Sequence, residues 1–308
     1  MLRLRVPATS ANLGPGFDCL GLALDLWLEV TARPAERDRF VYLGDGHVPD
    51  GPDNLVHEGL RRAFAAIGRP APAVAIEAHN PIPLARGLGS SSAALVAGAA
   101  LADAWSGGAL GRDGVFQLTA ELEGHPDNVA PAVYGGFTVS AAQLEGGYAT
   151  AMLKVPPHWR LLFGVPAYDL PTERARATLP SHVPREDAVR TASRAALWVV
   201  AVTHDRPELL RTASLDALHE PYREHLVPGL ATARAALRAA GAHAAFLSGA
   251  GPTVGAVVDA AHEEACRKVL ADYAGPQGRV LSLGAADGYR VEDAASGGPA
   301  ASHGRAAT

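Results

Sequence analysis

Leu2, Leu4 and Val6 alternate with Arg3 and Arg5, the two-residue period of a half-buried strand, and a longer apolar segment follows from Leu20 to Val30. Between them runs a polar, glycine-rich loop, Pro7 to Asp18, the kind of connection that carries binding residues on a rigid frame. After Asp53-Asn54-Leu55-Val56 the spacing predicts a helix through about Ile67, then a strand over Val74–Glu77. Small apolar residues as far as Trp105 predict a second helix, and Gly114–Glu123 a third that ends at Gly124. Strands are predicted around Phe137–Ser140 and over Trp159–Pro166, followed by helices over Glu186–His204, Pro207–Leu215 and Gly229–Ala240. The strands Ala244–Leu247 and Val254–Val258 flank a glycine turn, Ser248–Thr253; a helix over about Ala261–Tyr273 and a short strand near Val280–Leu283 close the pattern. Strands and helices mixed at hairpin-like spacing predict an α+β fold rather than a doubly wound sheet. The stretch from about residue 291 to Thr308 is rich in Ala, Gly and Ser without an apolar period, and is expected to be disordered.

The segment Pro83-Leu84-Ala85-Arg86-Gly87-Leu88-Gly89-Ser90-Ser91-Ser92-Ala93 leads directly into the second helix. The first turn of a helix has backbone N–H groups without internal partners and the positive end of the macrodipole, so an anion can sit there if no bulky side chain intervenes. Gly87 and Gly89 clear the approach, and Ser90, Ser91 and Ser92 add hydroxyls. The segment lacks the Gly-Lys-Ser/Thr ending of a Walker loop and the third glycine of a dinucleotide fingerprint. A plain small-residue helix cap would use the same residues.

At 308 residues and 48% hydrophobic, the chain has room for two lobes, which the pattern divides into residues 1–155 and 156–290. Only 19% of residues are charged and the net charge is −5, which argues against nucleic acid or an anionic membrane as partner and favours a small molecule. Cys19 and Cys266 lie far apart without a CxxC pattern, as suits a reducing cytoplasm and not a disulfide framework or zinc site. The N-terminus reads as a strand rather than a signal peptide, and no apolar run is long enough to span a membrane. Glu121, at the end of a predicted helix, precedes the polar cluster His125-Pro126-Asp127-Asn128; such groups could hold a metal ion or position an attacking oxygen, or simply form an exposed helix end and a turn. Arg176 and Arg223 carry forks that match a carboxylate, though solvated helix arginines look the same in sequence.

Taken in order, the loop Ala8-Thr9-Ser10-Ala11-Asn12-Leu13-Gly14-Pro15-Gly16-Phe17-Asp18, the small-residue segment, Glu123-Gly124-His125-Pro126-Asp127-Asn128-Val129-Ala130-Pro131, Glu220-Pro221-Tyr222-Arg223 and the turn Ser248–Thr253 closely resemble the GHMP small-molecule kinases, specifically their homoserine-phosphorylating branch. The resemblance spans residues 3 to 290. It implies an N-terminal domain like the second domain of ribosomal protein S5, a ferredoxin-like C-terminal domain, and transfer of the γ-phosphoryl group of ATP to the hydroxyl of L-homoserine. By the same resemblance, Asn12, Asp18, His125, Asn128, Thr172, Arg176 and Arg223 form the amino-acid pocket. Asn54 meets the nucleotide base, residues Pro83 to Ala93 form the triphosphate loop, and Ser90 or Ser91 with Glu121 holds Mg²⁺, Glu123 being the other carboxylate within reach. Asn128, Glu121 and Asp127 are the catalytic candidates. A mevalonate-type kinase and an inactive ligand sensor on the same fold are the alternatives; oligomeric state, a homodimer included, is left open.

Overall fold

The alternating N-terminus becomes strand β1 (Leu2–Asn12), paired antiparallel along its length with β2 (Gly16–Pro34). The computed structural model describes residues 1–51 and 53–293, so the expectation for the stretch beyond Asp293 lies outside the described residues. Beyond β2 come β3 (Arg39–Gly44), α1 (Leu55–Ala66), β4 (Val74–Asn80), α2 (Ser90–Trp105), α3 (Gly111–Glu123), α4 (Val129–Tyr134), β5 (Phe137–Ala142) and β6 (Tyr148–Leu153). Strands run β11-β1-β2-β4-β3 across the first sheet, where β11 is Arg290–Asp293, and β5 and β6 extend it from Leu20–Leu22 of β2. Neither β3 nor β6 is apparent in the hydrophobic pattern. Both are edge strands whose outward residues Val41, Leu43 and Met152 are exposed, while Phe40, Tyr148 and Leu153 pack on the core from the other face.

The second lobe contains β7 (Arg160–Val165), α5 (Thr172–Arg176), α6 (Arg185–Thr203), α7 (Leu210–Ala213), α8 (Glu220–Arg223), α9 (Leu230–Ala239), β8 (Ala244–Leu247), β9 (Val254–Val258), α10 (Glu263–Ala274) and β10 (Arg279–Leu283). Its antiparallel sheet has the order β10-β7-β9-β8, the ferredoxin-like arrangement. A division at residue 155 nevertheless needs correction at the far end. Residues 290–293 return to the first sheet and pair with Leu2–Arg5, so 291–293 are strand rather than tail, because β1 would otherwise present an unpaired backbone edge. The lobes also share a core: Trp198 of α6 stacks on Phe137 of β5 with ring centres 5.9 Å apart and meets Phe246 of β8 edge-on at 6.1 Å.

Apolar or small residues surround α2, as in a helix buried on every side, and it packs on α1, α3 and β1. Two glycines allow α1 to approach closely. A Cβ on Gly98 would fall 2.0 Å from the Val56 carbonyl oxygen, and one on Gly59 would fall 2.2 Å from that of Leu95. Helix propensity alone would reward replacing Gly98 by about 0.5–1 kcal/mol, whereas forcing backbones apart in a packed core costs on the order of 1–3 kcal/mol. Packing should therefore win: Gly98→Ala is expected to lower the urea midpoint, and an increase would show that the helices can separate freely.

Candidate active site

The loop before α2 bends through Ala85, Gly87 and Gly89, each with positive φ, and delivers the chain to the helix with Gly89 as N-cap and no side-chain cap bond. The helix's own bonding begins when Ala93 N–H donates to the Gly89 carbonyl, so the N–H groups of the preceding turn remain available to an anion. Gly89 (φ +69°) suits this position for steric reasons as well, since a Cβ there would lie 1.9 Å from Thr9 Oγ1. Leu88 is buried below the loop, and Ala93 belongs to the core with its N–H already used. The expectation that Ala93 contacts a ligand is therefore corrected to a packing role.

A cavity of about 360 Å³ opens in front of this loop. Residues Pro83 to Ser91 line one wall together with Asn54, Phe40 and Tyr42; His125, Asp127, Asn128, Thr172, Arg176 and Arg223 line another. Asn54 stands at the wall with its side chain committed. Its Oδ1 accepts from the N–H groups of Val56 (3.0 Å) and His57 (3.3 Å), capping α1, while Nδ2 donates to the Pro49 carbonyl at 2.7 Å. Phe40 and Tyr42 escaped the sequence reading because β3 did, although a short run rich in aromatic and β-branched residues was the available signal.

Glu123, not Glu121, is the carboxylate at the loop. Ser91 Oγ donates to Glu123 Oε1 at 2.9 Å and Ser92 Oγ does so at 3.0 Å. Side chains two positions apart on a helix point about 200° away from each other, so Glu121 faces outward and is exposed. Ser90 also departs from the expected pairing, its hydroxyl accepting from Asn80 Nδ2 of β4 at 3.1 Å.

Arg176, which lines the cavity, forms a two-pronged ion pair with Asp18 at 2.5 and 3.0 Å. Burial opposes the Arg176 charge, but the Asp18 contact outweighs it and raises the guanidinium pKa. Asp18 has a left-handed backbone (φ +54°), and its N–H is held at 3.0 Å by Asn12 Oδ1; Asn12 Nδ2 reaches across to the Gly249 carbonyl at 3.0 Å. Asn12 thus shapes the pocket by closing the β1–β2 loop and joining it to the glycine turn of the second lobe. That turn leans on the phosphate-type loop, since Ser248 Oγ donates to the Gly87 carbonyl at 2.6 Å.

Arg223 is almost fully buried at 1% exposure, and burial together with the neighbouring Arg176 charge lowers its pKa to about 10. Its Nη1 donates to His219 Nδ1 (3.0 Å) and to the Gly249 carbonyl (3.2 Å). His219 donates in turn from Nε2 to the Gly14 carbonyl at 2.7 Å, which fixes one neutral tautomer; burial holds its pKa down near 4. Glu220 anchors the same short helix, accepting from Leu247 N–H at 2.6 Å and pairing with Arg234 at 2.5 Å. Phe17, named in the sequence only as part of a loop, lies against both arginines, with guanidinium-to-ring distances of 5.3 Å for Arg176 and 5.4 Å for Arg223.

His125 Nδ1 and Asp127 Oδ1 meet at 2.6 Å in a buried pair. Burial alone would depress the imidazole pKa, yet the bond to the Asp127 carboxylate raises it above its ordinary value. Asn128 follows at the start of α4, and its Oδ1 accepts from Thr9 Oγ1 at 2.9 Å. A turn with open backbone N–H groups, a carboxylate with hydroxyls, and a pocket carrying both charges therefore share one cavity.

Residues 54–136 match the GHMP kinases N terminal domain and residues 196–275 the GHMP kinases C terminal family. The chain is 54% identical to the homoserine kinase of Thermus thermophilus, covering 93% of this chain and 97% of that one. A crystal structure of homoserine kinase from Cytophaga hutchinsonii superposes with a TM-score of 0.84 at 27% identity, over 94% of this chain and 97% of the other. A mevalonate kinase structure shares the fold alone, with a TM-score of 0.65 at 13% identity over 92% of this chain and 99% of that one. Gly89→Val should place methyl groups where phosphate oxygens approach and push against Thr9, weakening ATP binding by about 10-fold or more; unchanged affinity in calorimetry would remove the loop from the nucleotide site.

Proposed function

The chain belongs to the homoserine kinases of the GHMP kinase family, and on that premise we propose how its residues transfer the γ-phosphoryl group of ATP to the side-chain hydroxyl of L-homoserine. The observation that carries this reading is the placement of the anion-binding turn and a doubly charged pocket in one cavity, with Asn128 lining it and set against Gly89 of the turn. ATP lies with its triphosphate along the N-terminal turn of α2, where backbone N–H groups and the helix dipole oppose its charge. Asp18 takes the substrate ammonium, and Arg176 and Arg223 take the carboxylate. In the free protein Asp18 and Arg176 neutralise each other. A zwitterion offers each of them an opposite charge in exchange, so the ion pair can open without leaving a bare ion.

Glu123 with the hydroxyls of Ser91 and Ser92 is a set of hard oxygen donors beside the anion site, which suits Mg²⁺. When bound, that ion neutralises charge on the transferring phosphoryl group. Asn128 orients the attacking hydroxyl, while Asp127 holds His125 and sets the charge of the pocket floor. Phosphoryl transfer has a loose transition state in most analyses, so alignment and charge neutralisation can provide most of the acceleration without early proton removal. Both cysteines are free thiols, and among the described residues no helix is long and apolar enough to cross a membrane; these features support a cytoplasmic location.

ADP release should require both Mg²⁺ and L-homoserine, and equal turnover with mevalonate, or none with homoserine, would sink this reading. Glu123→Gln is expected to raise the Mg²⁺ concentration needed for half-maximal rate, while Glu121→Gln leaves it unchanged; the reverse pattern would return the metal to Glu121. Arg223→Lys keeps the charge but loses the fork, so the homoserine KM should rise by an amount on the order of 1–3 kcal/mol with ATP KM little altered. A normal homoserine KM in that variant would detach Arg223 from the substrate.

A further inference from the structure

Thr9 lies toward the C-terminal end of β1, fully buried, and touches both the phosphate loop and Asn128. Its backbone N–H donates to the Leu88 carbonyl of the phosphate loop at 3.1 Å. Its Oγ1 donates to Asn128 Oδ1 at 2.9 Å. Gly89, the N-cap of α2, leaves just enough room for this contact, because a Cβ there would fall 1.9 Å from Thr9 Oγ1 and 3.0 Å from Asn128 Oδ1. The Asn128 side chain makes no capping bond to α4, although the residue stands at that helix's N-terminus. Among the short polar side chains that usually cap helices, this is an amide left over for another task.

We propose that Thr9 is a positioning residue that fixes the Asn128 amide in one of its two orientations and ties it to the phosphate loop. The inference rests on the reading that Asn128 orients the substrate hydroxyl. A side-chain amide has an acceptor end and a donor end of nearly equal shape, so contacts must decide which end faces the ligand. A buried hydroxyl needs an acceptor for its proton, and Asn128 Oδ1 provides it. Turning the amide over would put NH₂ against Thr9 and strand the hydroxyl proton in a buried site, which is unfavourable. With Oδ1 held by Thr9, the amide presents Nδ2 as a donor. A donor occupies one lone pair of the alcohol oxygen and leaves another for phosphorus. Because Thr9 N–H also holds Leu88, and Oγ1 packs on Gly89, the nucleophile's guide and the phosphate's seat are referenced to the same residue. A small error in their separation would cost rate through lost alignment rather than lost binding.

Steady-state kinetics on Thr9→Val, Thr9→Ser, Asn128→Ala and the double variant Thr9→Val/Asn128→Ala tests this, with thermal melting to confirm folding. Thr9→Val keeps the volume and removes the hydroxyl; it should lower kcat by about 10-fold or more with both KM values within about threefold of the parent, as expected for a group acting on alignment. Thr9→Ser restores the donor and should recover most of kcat. In the Asn128→Ala background Thr9→Val should have no further effect on kcat, because its partner is already gone. Should the valine variant fail to fold, Thr9→Ala carries the same cycle. Multiplying effects in the double variant, or a raised ATP KM with unchanged kcat, would overturn the proposal and leave Thr9 as packing for the loop. An Asn128→Ala enzyme with normal kcat would instead refute the role of Asn128 itself, and the positioning role with it.

Discussion

The N-terminal turn of α2 sets the terms for the rest of the molecule. A helix buried on every side must nonetheless keep one end open, with its first N–H groups unbonded and facing a cavity. Sinking the body of α2 into the core requires small side chains and close approach to α1 at Gly59 and Gly98. Keeping its end open requires a loop of unusual backbone conformations, held from below by Thr9 on the Leu88 carbonyl and from the side by Ser248 on the Gly87 carbonyl. The second lobe thus contributes to the seat for an anion as well as to the opposite wall. This explains why the glycine turn of residues 248–253 joins β1 and the loop together, through Ser10 with Ser248 and Asn12 with Gly249.

Charge in the pocket is balanced largely by pairing between its own residues. Two arginines are held near one phenylalanine ring, and their mutual repulsion, which together with burial depresses Arg223, is offset by the carboxylates of Asp18 and Asp127. His219 can accept from Arg223 only because the Gly14 carbonyl takes the proton on its other nitrogen. A charged imidazole there would face an arginine inside the protein. The segment Glu220–Arg223 therefore divides its work: Glu220 anchors to Leu247 and Arg234, and Arg223 turns to the cavity.

How much of this was legible depended on whether a feature is local. The α2 loop, the histidine-containing cluster and most of the strand-and-helix order are written in consecutive residues, whereas their meeting in one cavity is implied in the sequence only by the family resemblance and is a product of the fold. Glu121 and Glu123 illustrate the limit. Two carboxylates on a helix differ in sequence by two positions but in space by most of a half-turn, and only the direction of α3 relative to Ser91 and Ser92 separates them. Phe17 and Thr9 carry no local sign of a role, because their partners lie over a hundred residues away. Phe40, Val41 and Tyr42 do mark β3 as a short β-prone run, whereas β6 carries two alanines and a threonine and has no such local mark.

The return of β11 to the first sheet bears on how the chain is made. Residues near 284–293 stitch back to the N-terminal lobe through β1, through the bridges Leu24 to Ala285 and Gly135 to Asp287, and through Arg112 on the Tyr289 carbonyl. During synthesis β1 emerges before the second lobe, and the edge that β11 covers stays unpaired until residues 290–293 leave the ribosome. At ordinary translation rates, the second lobe takes on the order of 10 s to appear. Throughout that interval the nascent first lobe has an open strand edge, the feature that invites pairing with other chains. Arg3 and Arg5 of that strand share one carboxylate, Glu29 of β2, at 3.0 and 3.1 Å, which leaves net positive charge beside the edge and discourages edge-to-edge association while the polypeptide waits for β11.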